Sequence, residues 1–262
     1  MTVRQAVTAT ALVCGLAVGT QARTAAPAGN VVRVAAAADL RFVLEDAAQR
    51  LAARQPPIVL QATYASSGVL HTQLQQRAPF DVFLSADSDY PADLVQQGIA
   101  APGDMFNYAR GHLVLWVLKA SPLNVERDGL RSLQRAEHIA IANPATAPYG
   151  RAAQAALKSA GLWDRLQPHI VLGENVAQTA QFVESGAADA GLIARSVAGS
   201  AAMRGKGRTW DVPENLYPPI VQAGLIVSSA RSRAAAVAFR DYLLGADGRQ
   251  LLEQYGFARP PR

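Results

Sequence analysis

A two-lobed α/β fold with mostly parallel sheets is predicted by three features of this chain. Short apolar runs alternate with amphipathic helical periods, several of these runs pass straight into a helix through small or hydroxyl residues, and two turn-rich stretches interrupt the alternation. At 262 residues there is length for one large domain or two smaller ones. With 50% hydrophobic and only 17% charged residues, the composition excludes a disordered chain.

Taken in order, residues 1–22 are predicted to be a secretory signal. Arg4 precedes AVTATALVCGLAVG, which is too short and too rich in Ala and Thr to span a bilayer comfortably, and Thr20-Gln21-Ala22 is small at both ends. The single cysteine, Cys14, falls inside this segment, so the exported chain is expected to carry no disulfide. Lipidation of Cys14 is disfavoured by Val13, which sits where a small residue is wanted.

From Val31 onward, strands are predicted at 31–37, 58–64, 80–85, 112–118, 138–142, 169–172, 189–193 and 220–228. Helices are predicted at 40–54, 67–77, 88–97, 129–135, 149–160, 176–186, 194–203, 231–244 and 246–254. In the first helix Leu40, Val43, Leu44, Ala47, Ala48 and Leu51 follow the i, i+3, i+4, i+7 rule, as do Ala235, Phe239, Tyr242 and Leu243 near the end. The turn-rich stretches run from Ala101 to Gly111 and from Asn215 to Pro219. They divide the chain into lobe one, residues 30–109 and 220–262, and an inserted lobe two, residues 110–219. Two crossings make a hinge, and a ligand cleft is expected between the lobes at the carboxyl ends of the strands.

Four strand-to-helix junctions carry the functional signal: Asp39, Ser66–Ser67, Tyr149–Gly150 and Asn175–Val176. A helix start offers unpaired N–H groups and the positive end of the macrodipole, so several starts aimed at one cleft would hold a small oxyanion without Arg or Lys. Ser66 suits an N-cap, yet two hydroxyls followed by Gly68 also favour anion contact. Asp39 suits an N-cap better than an anion contact, since a carboxylate repels a dianion; its N–H and that of Ala38 stay available. Asn175 with Gln178 forms a capping-box pattern, leaving Val176 to present only its N–H. Tyr149 is equally a turn aromatic or a ligand group.

Other chemistries fare worse. The net charge of +5 comes from basic residues dispersed beside acids, the densest spot being the loop-like group Arg204, Lys206 and Arg208, so no nucleic-acid partner is expected. None of the common hydrolase, zinc-protease, dinucleotide or P-loop patterns occurs, and the four histidines, His71, His112, His138 and His169, are not at metal-ligand spacing. His71 lies one turn after Ser67, but residues four apart point the same way along a helix, which is poor geometry for a general base. Asp81 and Asp87 flank VFLSA and are expected to form turns. The chain is therefore not expected to be an enzyme.

In order, the segments VAAAADL, YASSGVLHTQL, PFDVFLSAD, YARGHLVLW, ANPATAPYGRAAQAAL, GENVAQTAQFVESGAADAGLI and FRDYLLGADGRQLLEQYGF resemble the periplasmic molybdate-binding proteins of ABC importers. The resemblance covers about Val31 to Phe257. It implies the periplasmic binding protein fold and a molybdate or tungstate ligand contacted through its oxygens by Ser67, Tyr149 and Val176. It also implies an ABC importer permease as partner, a periplasmic location, a monomer, and no cofactor. The family's first ligand serine falls on Asp39, a departure, and its second on Ser67, a match. Val176 matches a backbone donor, and Tyr149 takes the backbone donor position of the P-x-G turn. A tyrosine of some members falls on Ala194, and Tyr149 is placed to replace that hydroxyl. The alternatives are another oxyanion or small organic acid, with Asp39 accepting its proton, and a secreted Ser-dependent hydrolase.

Overall fold

The computed structural model describes residues 30–260; the signal segment 1–22 and Cys14 lie outside the described residues. In chain order the elements are β1 (Val31–Ala37), α1 (Arg41–Ala52), β2 (Val59–Ala65), α2 (Ser67–Gln75), β3 (Val82–Ser85), α3 (Asp89–Gln96) and β4 (Met105–Gly111). Then come β5 (Leu113–Leu118), α4 (Val125–Asp128), β6 (Ile139–Ala142), α5 (Pro148–Ser159), α6 (Trp163–Leu166), β7 (Ile170–Gly173), α7 (Val176–Glu184), β8 (Ala190–Ala194), α8 (Arg195–Ala198) and β9 (Gly207–Asp211). The chain closes with β10 (Ile220–Ile226), α9 (Arg233–Leu244) and α10 (Ala246–Gln254).

Among the described residues, ten strands form two five-stranded sheets, ordered β2-β1-β3-β10-β4 and β7-β6-β8-β5-β9. The chain leaves the first sheet after β4, builds the whole second sheet, and returns at Ile220. Each sheet has the same plan. Three strands run parallel (β2, β1, β3 and β7, β6, β8), and two strands joined by antiparallel pairing (β10, β4 and β5, β9) finish one edge. The expected two-lobed α/β fold is thus found, with one strand of each sheet, β10 and β5, running against the other four. Two of the antiparallel-paired strands, β4 and β9, were not legible as strands, because MFNYARG and GRTWD are polar edge sequences with no continuous apolar run. The basic group 204–208 is likewise no free loop. Lys206 pairs with Glu184, and Arg208, inside β9, pairs with Glu126 and donates to the carbonyls of Ser121 and Leu123.

Both faces of the first sheet are covered. Leu40, Val43, Leu44 and Leu51 join Phe239, Tyr242, Leu243 and Leu251 on one face, and Leu70, Leu74 and Leu94 pack with Phe83 and Leu225 on the other. Burial on two faces explains why β3, VFLS, is buried at every residue. The second lobe's core, built around Leu115, Trp116, Ile141, Leu157 and Leu192, reaches across to Ala37, Ala38 and Ala86 of the first sheet. Among the described residues no helix is long and apolar enough to cross a membrane.

Phe239 is fully buried in α9. Phe239→Ala is expected to cost about 3–5 kcal/mol, read as a lowered midpoint of denaturant unfolding. A cost under about 1 kcal/mol would show that α9 does not seal the first sheet.

Candidate functional site

Register brings the four junctions together. β1 pairs with β2 from Val31 opposite Val59 to Ala37 opposite Ala65, so both strands end side by side and deliver Asp39 next to Ser66 and Ser67. The second lobe repeats this: Ala142 at the end of β6 lies opposite Gly173 at the end of β7, and the chain continues into Tyr149 and Val176. Asp39 and Tyr149 therefore follow equivalent strands of the two sheets, and so do Ser67 and Val176. All of them, with Ala37, Ala38, Ala65, Ser66, Ala86, Ala147, Pro148 and Asn175, line one small cavity. Its volume is about 10 Å³. Among the described residues no Lys or Arg belongs to the lining. A wider groove of about 410 Å³ near Arg249, Glu253 and Phe257 contains none of the buried side-chain atoms that lack partners.

The donors are set in advance. Ser67 Oγ accepts from the N–H of Ala86 at 3.0 Å, which leaves its own proton free to donate. Asn175 caps α7 as its pattern predicted: Oδ1 accepts from Ala177 and Gln178, and its carbonyl accepts from Thr179. Gln178 Oε1 in turn accepts from Glu174, one residue earlier than a capping box requires. Val176 sits first in the helix, where no intrahelical acceptor exists for its N–H. Ser66 occupies the N-cap position of α2, but its hydroxyl makes no capping bond and has no partner among the described residues.

Asp39 overturns the capping expectation. Its side chain caps no helix. It is 1% exposed, and Oδ2 accepts from Gln222 Nε2, which also donates to the Tyr149 hydroxyl at 3.2 Å. Oδ1 of Asp39 and Oε1 of Gln222 have no partner among the described residues. Gln222 sits where β10 and β4 slip register, a bulge that re-aims a side chain out of the ladder. Burial pushes the Asp39 carboxyl up from 3.8 to about 6, against the lowering effect of bonds from Gln222, Tyr149 and its own N–H. Burial, with Asp39 beside it, holds the Tyr149 phenol well above its usual value. A carboxylate and a dianion about 4 Å apart would repel by about 8 kcal/mol at an effective dielectric of 20.

Contacts between the sheets close over this cavity. Gly68 donates to Thr146 O at 2.9 Å, and a Cβ at Gly68 would meet that oxygen at 2.9 Å and the Tyr90 hydroxyl at 2.8 Å. Asp87, expected only to turn the chain, pairs with Arg151 of α5, which also donates to Tyr90 at 3.1 Å. Asp81 instead accepts from the N–H groups of Arg33 and Arg231. Ser196 donates to the Asp39 carbonyl at 2.8 Å. At the hinge, a Cβ on Gly111 would collide with the Tyr149 hydroxyl.

The profile of the bacterial extracellular solute-binding proteins matches residues 32–258. This chain belongs to that family. Within it, the chain is 37% identical to the molybdate-binding protein ModA of Rhodobacter capsulatus, over 98% of this chain and 96% of that one. It is 36% identical to the molybdate-binding protein ModA of Azotobacter vinelandii, over 86% and 89%. The solved periplasmic molybdate-binding protein of A. vinelandii superposes with a TM-score of 0.82 at 35% identity, covering 88% of this chain and all of the other. The two-lobed solute-binding fold is thereby shown, and the family is not a class of enzymes.

The structure thus brings Asp39, Ser66, Ser67, Tyr149 and Val176 into one lining. Sequence reasoning missed Gln222 and Arg151. A glutamine inside the apolar run IVQAGLI was a visible signal for the first; nothing local marked the second. Ala194, buried at the end of β8, brings no hydroxyl. Among the described residues no group of three or more His, Cys, Asp or Glu is arranged to hold a metal ion.

Asp39 also sets a pH dependence of stability. A folded value raised from 3.8 to about 6 makes the folded chain hold the proton more tightly than the unfolded chain. The stabilising contribution is complete below about pH 4 and lost as pH climbs through 6, amounting to about 3 kcal/mol. Asp39→Asn should therefore gain on the wild type from near zero at pH 4 to about 3 kcal/mol at pH 8, by denaturant titration. A gap that ignores pH would remove this account.

Proposed function

We propose that this chain is the periplasmic solute-binding protein of an ABC importer and that it captures molybdate or tungstate. One observation carries the reading: equivalent helix starts from two sheets meet at a small cavity with hydroxyl and N–H donors and no cationic side chain. Neutral donors hold an anion strongly once water is excluded, because each bond to a charged oxygen is charge-assisted and unscreened. A cavity this small favours a compact tetrahedral oxyanion over an organic acid with a carbon chain. The metal atom itself touches no side chain in this scheme; Ser67, Tyr149 and Val176 meet its oxygens, with Ser66 and the backbone at Asp39 beside them.

Lobe one comprises residues 30–109 and 220–262, and lobe two residues 110–219. They open about the two crossings, Gly111 to His112 and Pro219 to Ile220. Closure engages Gly68 with Thr146 and Asp87 with Arg151, and the closed, loaded monomer is what the membrane permease recognises. Residues 1–22 direct export. No cofactor and no catalytic turnover are involved. A hydrolase would need a base on Ser67, whereas His71, one turn along the same helix, is engaged with Asp93 at 2.6 Å. A second reading, another oxyanion of similar size, is favoured by Asp39, since a carboxylate accepts a proton from a hydrogen oxyanion.

A melting screen with molybdate, tungstate, sulfate, phosphate and small organic acids tests the proposal. Molybdate and tungstate are expected to raise the melting temperature most. No shift with any oxyanion would end it. Ser67→Ala removes one charge-assisted donor and should weaken capture about 10- to 100-fold by calorimetry.

A further inference from the structure

We propose that Asp39 makes ligand capture proton-linked: each oxyanion dianion bound brings one proton into the cavity, held between Asp39 Oδ1 and a ligand oxygen. The inference rests on the oxyanion reading of this same cavity and names its selecting residue. Asp39 lines the cavity and is 1% exposed, and its Oδ1 has no partner among the described residues, while Oδ2 is taken by Gln222. Gln222 Oε1, beside it, is a second buried acceptor without a donor. Two unmatched acceptors and a guest made only of acceptor oxygens leave one shortage: a proton.

No cation among the described residues of the lining offsets this shortage. The titratable groups facing Asp39 are Tyr108 of β4 and Tyr149 of α5, both held neutral well above the usual phenol range by burial. Gln222 of β10 and Ser196 of α8 face it without charge. On α1, Arg41 pairs with Glu45 at the surface, and Arg195 of α8 pairs with Asp211. His112 at the hinge answers to Glu214, Arg195, Arg110 and Asp211 rather than to Asp39. Burial already lifts the Asp39 carboxyl to about 6, so at neutral pH a proton is available to it at modest cost. The proton comes from solvent, and it lies on Asp39 Oδ1 donating to the guest or on the guest donating to Oδ1. The two arrangements have the same charge and the same pH dependence.

Calorimetry with sodium molybdate in two buffers of different ionisation enthalpy counts the protons taken up. About one proton per molybdate is expected at pH 7 and pH 8, shrinking towards none below pH 5, and affinity should fall about tenfold per pH unit from 7 to 9. Molybdate is fully deprotonated at pH 8, so it brings none of its own. Asp39→Asn should bind with no proton uptake and with affinity flat across this range. Saturable binding at pH 8 without proton uptake by the wild type overturns the proposal and leaves the oxyanion reading intact. Undiminished uptake by Asp39→Asn also overturns it, by placing the proton elsewhere. Absence of binding by molybdate, tungstate, sulfate and phosphate between pH 5 and 9 removes both.

Discussion

A carboxyl group buried in a cavity whose described lining holds no Lys or Arg is the constraint around which this site is arranged. Asp39 lies just past the end of β1, the strand between β2 and β3 in the first sheet, in a cavity lining rich in alanine and serine. Its neighbours are all uncharged, so the group is neither paid for by an ion pair nor released to solvent. Hydrogen bonds from Gln222 and Tyr149 offset part of the desolvation, and the rest emerges as weaker proton release. Gln222 can do this only because the β10–β4 register slips at that residue, and Tyr149 only because Gly111 leaves room for its hydroxyl.

The same group ties the lobes. Gln222 of the returning strand donates to both the Asp39 carboxyl and the Tyr149 hydroxyl of the second lobe, and Ser196 of α8 donates to the Asp39 carbonyl. Together with the contacts of Gly68 to Thr146 and Asp87 to Arg151, they make the closed arrangement a sum of small, separable terms. The Asp87–Arg151 pair is partly exposed, so it is worth little by itself, of the order of 1 kcal/mol or less. Small terms suit the proposed opening and closing of the lobes.

Most of the architecture was legible because its signals are local. The βα junctions at Asp39, Ser67, Tyr149 and Val176 stand out from runs of apolar residues ending in small ones, and their order fixed which would share a cleft. What escaped was non-local. β4 and β9 are polar edge strands whose identity comes from the ladder they join rather than from their own sequence. Gln222 is 183 residues from Asp39, and Arg151 is 64 from Asp87, so neither pairing has a spacing to detect. The capping expectation for Asp39 failed for a related reason. An aspartate before a helix ordinarily bonds the first turn, but here burial and a distant glutamine compete more strongly.

The placement of cations completes the electrostatic logic. Arg110, Arg151 and Arg195 all stand near the lobe boundary, and each is matched to an acid: Glu214, Asp87 and Asp211. Neutralised there, they add little net field inside the cavity. An unpaired arginine at the centre would attract every dianion by charge, leaving size and protonation with little to decide. With neutral donors, affinity depends on how many oxygens reach a hydroxyl or N–H at once, which is a condition on size and shape. Asp39 adds a condition of the opposite sign, because a guest that cannot coexist with a proton on or beside that carboxyl meets repulsion instead of a bond. On the proposed reading, selectivity arises from what the cavity lacks, a fixed positive charge, as much as from the donors it presents.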